Sequence, residues 1–528
     1  MANRKIKNIW FVSREYDGLA GAGGVKDVCR QLAEALGKVA RVSVILPCYG
    51  FLTPKLLGFN IKTSLLTTMN YADQDRQEEV VIWGKKTQSV GRGEVTIYLV
   101  DALRFREKLG VYTYTEAEEE LDPFKAAGSG HYDYFAMNVL LQKAALCYLI
   151  QRHERPDIIH CHDGHTALVP PMAREIDGFR HFFRNTGFVV TIHNAGLGYH
   201  QEVADLPYAQ AITGLPRNFI NKNLLDGAFD PFVAASRYCK LNTVSENYAR
   251  ELRESDEDEL TGWLGHFLMS RGIKIEGITN GINPADFDTT EPDRLGLAAP
   301  FSVGKGDLAG KAACRRQLEE MLAHKKIKSV RQHGYLEARP ELPLLTVVGR
   351  FSGQKGMDKL VAALHRLLPA QKDFQILIQG SGDRRIAQAL ISLTRENAHS
   401  GRICVLEGYD PLLANKIYAA GDFFIIPSQY EPCGLTDYIA QLFGNLPIVH
   451  HIGGLVKVLD NKTGFAYRQH STTALIAAIK RALAVYHSKP QQIRAMQKRA
   501  VQTIAEQYTW DKVMLRYQEL YREALCKE

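Results

Sequence analysis

The sequence predicts an α/β protein of two doubly wound, Rossmann-like domains facing each other across a cleft. Three observations carry this. A chain of 528 residues is too long for one hydrophobic core, and two domains of about 200–250 residues are the default. Its first half alternates short apolar runs with helical periodicity, the mark of βαβ units and a parallel sheet. A second such series opens at Leu344-Leu345-Thr346-Val347-Val348, beyond a stretch rich in Pro, Gly and Asp.

In order along the chain, IWFV at 9–12 reads as the first strand, followed by a glycine-rich loop at 18–24 and a helix at 25–36. Further strands fall at 42–46, 80–83, 95–100, 158–159, 188–192 and 241–244, each running into polar residues. The acidic runs at 115–122 (TEAEEELD) and 251–259 read as a loop and a solvated surface. Residues 1–290 form the first domain, 291–310 the linker, 311–508 the second domain and 509–528 a final helix that Thr509 can cap. Strands of the second domain follow at 376–379, 403–406, 423–426 and 448–449.

Composition narrows the class. The net charge of +7 is small beside 65 basic and 58 acidic side chains. It allows an anionic ligand, and without a basic helix or aromatic platform it gives no reason to expect nucleic acid. The nine cysteines show no metal-like spacing and read as reduced thiols. The apolar run at 9–12 is too short for a signal-peptide core, and no stretch approaches the roughly 18 apolar residues that span a bilayer. These features point to the cytoplasm, with no membrane partner; oligomeric state is not legible.

The densest signal is PSQYEPCGLTDYIAQ, just after Phe423-Phe424-Ile425-Ile426. A buried strand there breaks into a loop that holds Glu431 and the backbone amides of Cys433, Gly434 and Leu435, before a helix resumes at Thr436. A carboxylate beside a row of amides suits a sugar attached to a phosphate. In GRFSGQKG, Arg350 and Lys355 share one strand-to-helix loop and can flank a pyrophosphate; a surface pair is the plain alternative. Tyr409 follows another strand and could stack a nucleobase or simply pack. Gly23-Gly24 fits an ordinary tight turn or close backbone approach to phosphate. The cluster His160-Cys161-His162-Asp163-Gly164-His165 lacks a fourth nearby ligand and the spacing of a helix face, so no metal is expected. Thr191-Ile192-His193-Asn194 is another polar strand terminus, where ligands of open α/β sheets bind.

With SRE, HCHDGHTAL, TIHNAG, NTVSENYA, GITNGIN, GRFSGQKG, the EPCGLT block, IVHHIGGL and YTWDKVMLRYQELY in order, the whole chain resembles the bacterial glycogen synthase and plant starch synthase family. That family has the GT-B fold and consists of retaining glycosyltransferases. The resemblance implies transfer of glucose from ADP-glucose or UDP-glucose to the non-reducing end of an α-1,4-glucan, without cofactor or metal, and a final helix crossing back onto the first domain. By motif, Arg350 and Lys355 would hold the donor phosphates and Glu431 the glucose hydroxyls. Cys433, Gly434 and Leu435 would lie beside them, Thr436 near the pyrophosphate, Tyr409 near adenine and His162 by the glucose. Asp133, His193 and Asn280 would support the acceptor side.

The family's first-loop Lys-Thr-Gly-Gly-Leu is here Gly21-Ala22-Gly23-Gly24-Val25, with Lys26 read as solvent-facing on the first helix. HDWH becomes HDGH at Gly164, and the usual Gln after EPCGLT is Asp437. Alternatives are a related GT-B transferase with another donor or a small acceptor, or a non-catalytic glucan-binding paralogue.

Overall fold

The computed structural model describes residues 5–87 and 93–526. The first four residues of the basic N-terminal stretch and the last two of the 509–528 segment lie outside the described residues. Two compact units divide the chain: Met1–Gly281 together with Trp510–Glu528, and Ile282–Thr509.

The first unit contains β1 (Asn8–Val12), β2 (Arg41–Pro47), β3 (Asn60–Thr68), β4 (Gln77–Thr87), β5 (Val95–Asp101), β6 (Ile158–His162), β7 (Gly187–Ile192), a small hairpin β8 (Leu224–Leu225) and β9 (Ala228–Phe229), β10 (Lys240–Thr243) and β11 (Ile275–Gly277). Nine of these form one sheet in the order β11-β10-β7-β6-β1-β2-β5-β4-β3. It is parallel from β11 to β5, and β4 and β3 are added antiparallel. Every residue of β1, β6 and β7 is buried, because helices cover both faces of a parallel sheet. The helix Val25–Gly37 turns Val28, Cys29, Leu32, Ala33 and Leu36 inward at helical spacing.

The final helix, Trp510–Leu525, belongs to this unit and buries Trp510, Val513, Met514, Tyr517, Leu520 and Tyr521. Trp510 Nε1 donates to Gln31 Oε1 at 2.7 Å, and the Tyr521 hydroxyl lies 2.9 Å from His160 Nδ1.

The second unit contains β12 (Arg331–Gly334), β13 (Leu344–Val348), β14 (Gln375–Gly380), β15 (Ile403–Glu407), β16 (Phe423–Ile426), β17 (Leu446–His450) and β18 (Phe465–Tyr467). Their order is β12-β15-β14-β13-β16-β17-β18, parallel except for β12. Strand order reverses at β1 in the first sheet and at β13 in the second, so the loops leaving those strands open into a crevice at each sheet's carboxyl edge.

Three segments depart from the sequence expectations. The crossings between units fall at Gly281–Ile282 and Thr509–Trp510, and the stretch expected as linker is packed into the second unit. Leu295, Leu297, Phe301 and Val303 join Tyr418, Phe424 and Phe443 in one core, so its apolar residues outweigh its turn formers. The acidic run at 115–122 is not a loop. It folds as the helix Glu116–Leu121, because Thr115 and Glu118 form a reciprocal capping box. In the second acidic run, Asp258 is fully buried. Its carboxylate accepts from the amides of Gly265 (3.1 Å) and His266 (2.9 Å) and anchors the following helix.

Candidate functional site

In the second unit, glycines press three strand-terminal loops together. Gly356, at φ +66°, ends the loop leaving β13, and a Cβ there would collide with Pro427 O. Gln429 N donates to Gln354 O at 2.9 Å, joining that loop to the one leaving β16. Behind it, Cβ atoms on Gly453 and Gly454 would collide with the carbonyls of Glu431 and Cys433, and Gly454 N donates to Glu431 O at 3.0 Å.

This packing places Lys355 Nζ 2.7 Å from Glu431 Oε2, which also accepts from Ser428 Oγ at 2.9 Å. Burial works against a charged Glu431, but Lys355, Ser428 and Lys457 outweigh it and hold the carboxyl below its ordinary range. Arg350 stands at the start of the same loop as Lys355, exposed and without an ion pair among the described residues. Cys433, Gly434 and Leu435 follow Glu431, with Gly434 at φ +69°, and Thr436 opens the helix Thr436–Leu442. Tyr409 is 63% exposed. The preceding Gly408 helps line a cavity of about 440 Å³ with Lys328, Ser329, Val330, Arg331, Ser381 and Glu407.

In the first unit, His162 ends β6 and His193 follows β7. Their rings stack, with Nδ1 of His162 2.9 Å from Nε2 of His193. Burial holds the His162 imidazole well below its usual value and pulls His193 down to about 3, so both are neutral. His162 Nε2 is buried and has no hydrogen-bond partner among the described residues. His160 is occupied elsewhere, by Tyr521 and by Thr191 Oγ1 at 2.6 Å. Among the described residues no group of three or more His, Cys, Asp or Glu is placed to hold a metal ion. Asp163 has φ +62°, and its carboxyl accepts from the His193 amide at 2.6 Å; burial pushes it up to about 8.

Asp133 sits between Arg104 Nη1 (2.7 Å) and Lys108 Nζ (3.1 Å). Burial raises its carboxyl, but the two cations outweigh burial and leave it below the ordinary range. Asn280 is buried at the end of the unit's first segment, its amide donating to Val244 O at 3.2 Å.

The loop at Gly23-Gly24 is already occupied. Glu15 Oε2 accepts from the amides of Ala22 (2.8 Å) and Gly23 (3.1 Å), and Oε1 from Tyr112 Oη at 2.6 Å. Lys26 is not simply solvent-facing as expected. Its aliphatic stem lies where a Cβ on Gly21 would go, and its ammonium pairs with Asp27 (3.0 Å) and Asp17 (3.4 Å). Gly164 has a steric cause: a Cβ would strike His200 O and come within 2.7 Å of Tyr199 O, so that backbone leaves no room for a side chain.

Within the second unit the structure thus joins Lys355 and Glu431 directly. It brings His162 and His193 into contact in the first, while Asp133 pairs with Arg104 and Lys108. Sequence reasoning missed Ser428, Glu15 and Lys457; Lys457 donates to Cys433 O at 2.5 Å and Gly434 O at 2.6 Å. The lone signal for Lys457 was its place just after Gly453-Gly454.

Comparisons with known proteins fit this geometry. A family model described as the starch synthase catalytic domain matches residues 8–266, and one described as glycosyl transferases group 1 matches residues 342–484. The glycogen synthase of Geotalea uraniireducens is 31% identical, over 98% of this chain and 99% of its own. That of Moorella thermoacetica is 30% identical, over 99% of this chain and 98% of its own. Among solved structures, the catalytic domain of starch synthase IV from Arabidopsis thaliana, bound to ADP and acarbose, has a TM-score of 0.79 at 24% identity. It covers 99% of this chain and 100% of its own. A sucrose-phosphate synthase from Thermosynechococcus elongatus has a TM-score of 0.55 at 19% identity, covering 98% of each chain.

Proposed function

The chain belongs to the glycogen synthase family, with the GT-B fold, and on that premise we propose that it is a retaining glucosyltransferase extending an α-1,4-glucan from a nucleotide sugar. The observation that carries the reading is the Lys355–Glu431 pair at the carboxyl edge of the second sheet, with the exposed Arg350 on the same loop. Breaking the anomeric bond builds negative charge on the diphosphate. Arg350 and Lys355 supply fixed positive charge for that leaving group, so the reaction needs no metal. The hydrogen bonds from Lys355 and Ser428 both fall on Oε2, which supports Oε1 as the acceptor of glucose hydroxyls. The diphosphate oxygen that leaves C1 takes the acceptor hydroxyl's proton as the new C1–O bond forms on the same face.

The ADP in the starch synthase IV structure supports ADP-glucose as donor, with UDP-glucose the competitor. The base would lie by Tyr409, beside the cavity at Gly408. In the first unit, His162, through its unpartnered Nε2, is assigned to the sugar, with His193 orienting it and Asp133 and Asn280 in support. Gly23 is assigned only a spacing role, since Glu15 holds its amide and that of Ala22, and Gly24 is kept as a site of close backbone approach to the donor. No helix of the described residues is long and apolar enough to cross a membrane. From the family's glycogen synthases we place the enzyme in the cytoplasm, with nucleotide sugar and α-glucan as its partners.

One observation favours a second reading. The first loop offers no free cation, since Lys26 is paired twice, and that suits a different donor or acceptor, or a glucan-binding paralogue. Release of nucleoside diphosphate from ADP-glucose and from UDP-glucose, each with glycogen or malto-oligosaccharides, separates the readings. Turnover that elongates glucan supports the synthase. Glucan binding with no release from either donor overturns it.

A further inference from the structure

Lys457 is a buried cation whose contacts fall on the loop bearing the proposed donor groups and on the first turn of the helix that follows it. Its side chain is 5% exposed. The ammonium donates to Cys433 O at 2.5 Å and Gly434 O at 2.6 Å, lies 3.1 Å from Asp437 Oδ1, and sits 4.3 Å over the Tyr438 ring. Two carbonyls accept from the ammonium and the Asp437 carboxylate stands within ion-pair distance of it. No cis peptide occurs among the described residues. In a trans peptide the carbonyl and the following N–H point in opposite directions. Drawing the carbonyls of Cys433 and Gly434 onto one cation therefore turns the N–H groups of Gly434 and Leu435 away from it, side by side.

Gly434 permits this at φ +69°, and a Cβ there would meet Leu455 Cδ2 at 2.7 Å and Asp437 Oδ1 at 3.0 Å. Successive amides turned the same way form an anion-binding concavity. Stability alone does not account for the buried pair, because apolar residues of similar volume commonly serve as well. Asp437 is also the acid that departs from the glutamine usual after EPCGLT.

We infer that Lys457, with Asp437 as its counter-ion, is a positioning residue that fixes the Gly434 and Leu435 amides as the diphosphate-binding pair of the donor site. This rests on the donor-site reading above. Lys457 touches no substrate; it acts through the peptide planes that it holds.

The test compares the wild-type chain with Lys457→Met, Lys457→Arg and the double variant Lys457→Met/Asp437→Leu. It reads KM and kcat with ADP-glucose and glycogen, and calorimetric affinity for ADP and for UDP. Lys457→Met is expected to raise KM for the donor and weaken nucleotide binding by about tenfold, the scale of one lost charged hydrogen bond. Glycogen affinity should stay unchanged, and Lys457→Arg should recover most of the loss. The double variant strands no buried charge, so it keeps the test alive if Lys457→Met fails to fold, and it must show the same loss. Wild-type nucleotide affinity in either folded variant overturns the inference while leaving the donor-site reading standing. A wild-type chain that binds neither ADP nor UDP and releases neither overturns both.

Discussion

Lys355 Nζ lies 2.7 Å from Glu431 Oε2, tying the loop that leaves β13 to the loop that leaves β16, where the second sheet reverses its strand order. Two residues 76 positions apart are thereby set at one carboxyl edge. Glu431→Gln keeps the shape and the acceptor for Ser428 but removes the charge. It should lower kcat with ADP-glucose at least about a hundredfold, the scale of one lost transition-state contact, while far-UV dichroism is unchanged. Lys355→Met differs in kind, since it removes the direct ion-pair partner of a largely buried carboxylate and leaves only Ser428 and the more distant Lys457 charge. It should cost roughly 3 kcal/mol of stability as well as activity. Full activity in Glu431→Gln would sink the site assignment.

The contact between those loops depends on Gly356. At φ +66° and against Pro427 O, an alanine there carries both backbone strain and a backbone clash. Gly356→Ala should cost at least about 2 kcal/mol in urea unfolding and lower donor affinity, by moving Lys355 away from Glu431. Gly353, three positions earlier, has open space around it and no positive φ, so Gly353→Ala is the control and should sit near wild type. Equal losses in the two variants would refute the close-approach argument.

What the sequence revealed follows burial. β1, β13 and β16 are nearly continuous apolar runs because both faces are covered, and their positions were legible. β3 (NIKTSLLTT) and β12 (RQHG) are edge strands with largely exposed or half-exposed, polar residues, which carry no such signal. Glu431 and Lys355 were legible because each lies in a local motif at a strand end. Lys457 and Glu15 were not, because their roles exist only once packing brings a loop amide or carbonyl within reach. Asp258 was misread for a related reason: four acids in a row look solvated until one of them turns inward to cap a helix.

Gly164 is a position where the family's usual tryptophan is sterically excluded. His200, whose carbonyl lies against Gly164, is itself held by Asp230 Oδ2 at 2.7 Å and Ala195 O at 2.7 Å, so that backbone cannot yield cheaply. Gly164→Ala should cost about 2 kcal/mol or more, and Gly164→Trp should fail to fold or lose over about 3 kcal/mol. Chemical denaturation decides; an alanine variant as stable as wild type would show that the Tyr199–His200 backbone moves freely.

Lys143 gives a pH signature in the first unit. It lies within the helix Tyr134–Gln151, 7% exposed, and its ammonium donates to Thr68 O (2.8 Å) and Ile212 O (2.7 Å), with no carboxylate partner among the described residues. Burial lowers its pKa from 10.5 to about 8, with Cys147 opposing only in part. Below pH 8 both folded and unfolded chains carry the proton, and the full cost of burying the charge is present. Between 8 and 10.5 the unfolded chain still binds a proton that the folded chain has released, so stability rises with pH. Urea unfolding of wild type and Lys143→Met, at neutral pH and again near 10.5, should show wild type gaining on the variant by on the order of 3 kcal/mol. Parallel pH profiles would mean that water reaches the ammonium and that the two carbonyls do not hold it in a dry site.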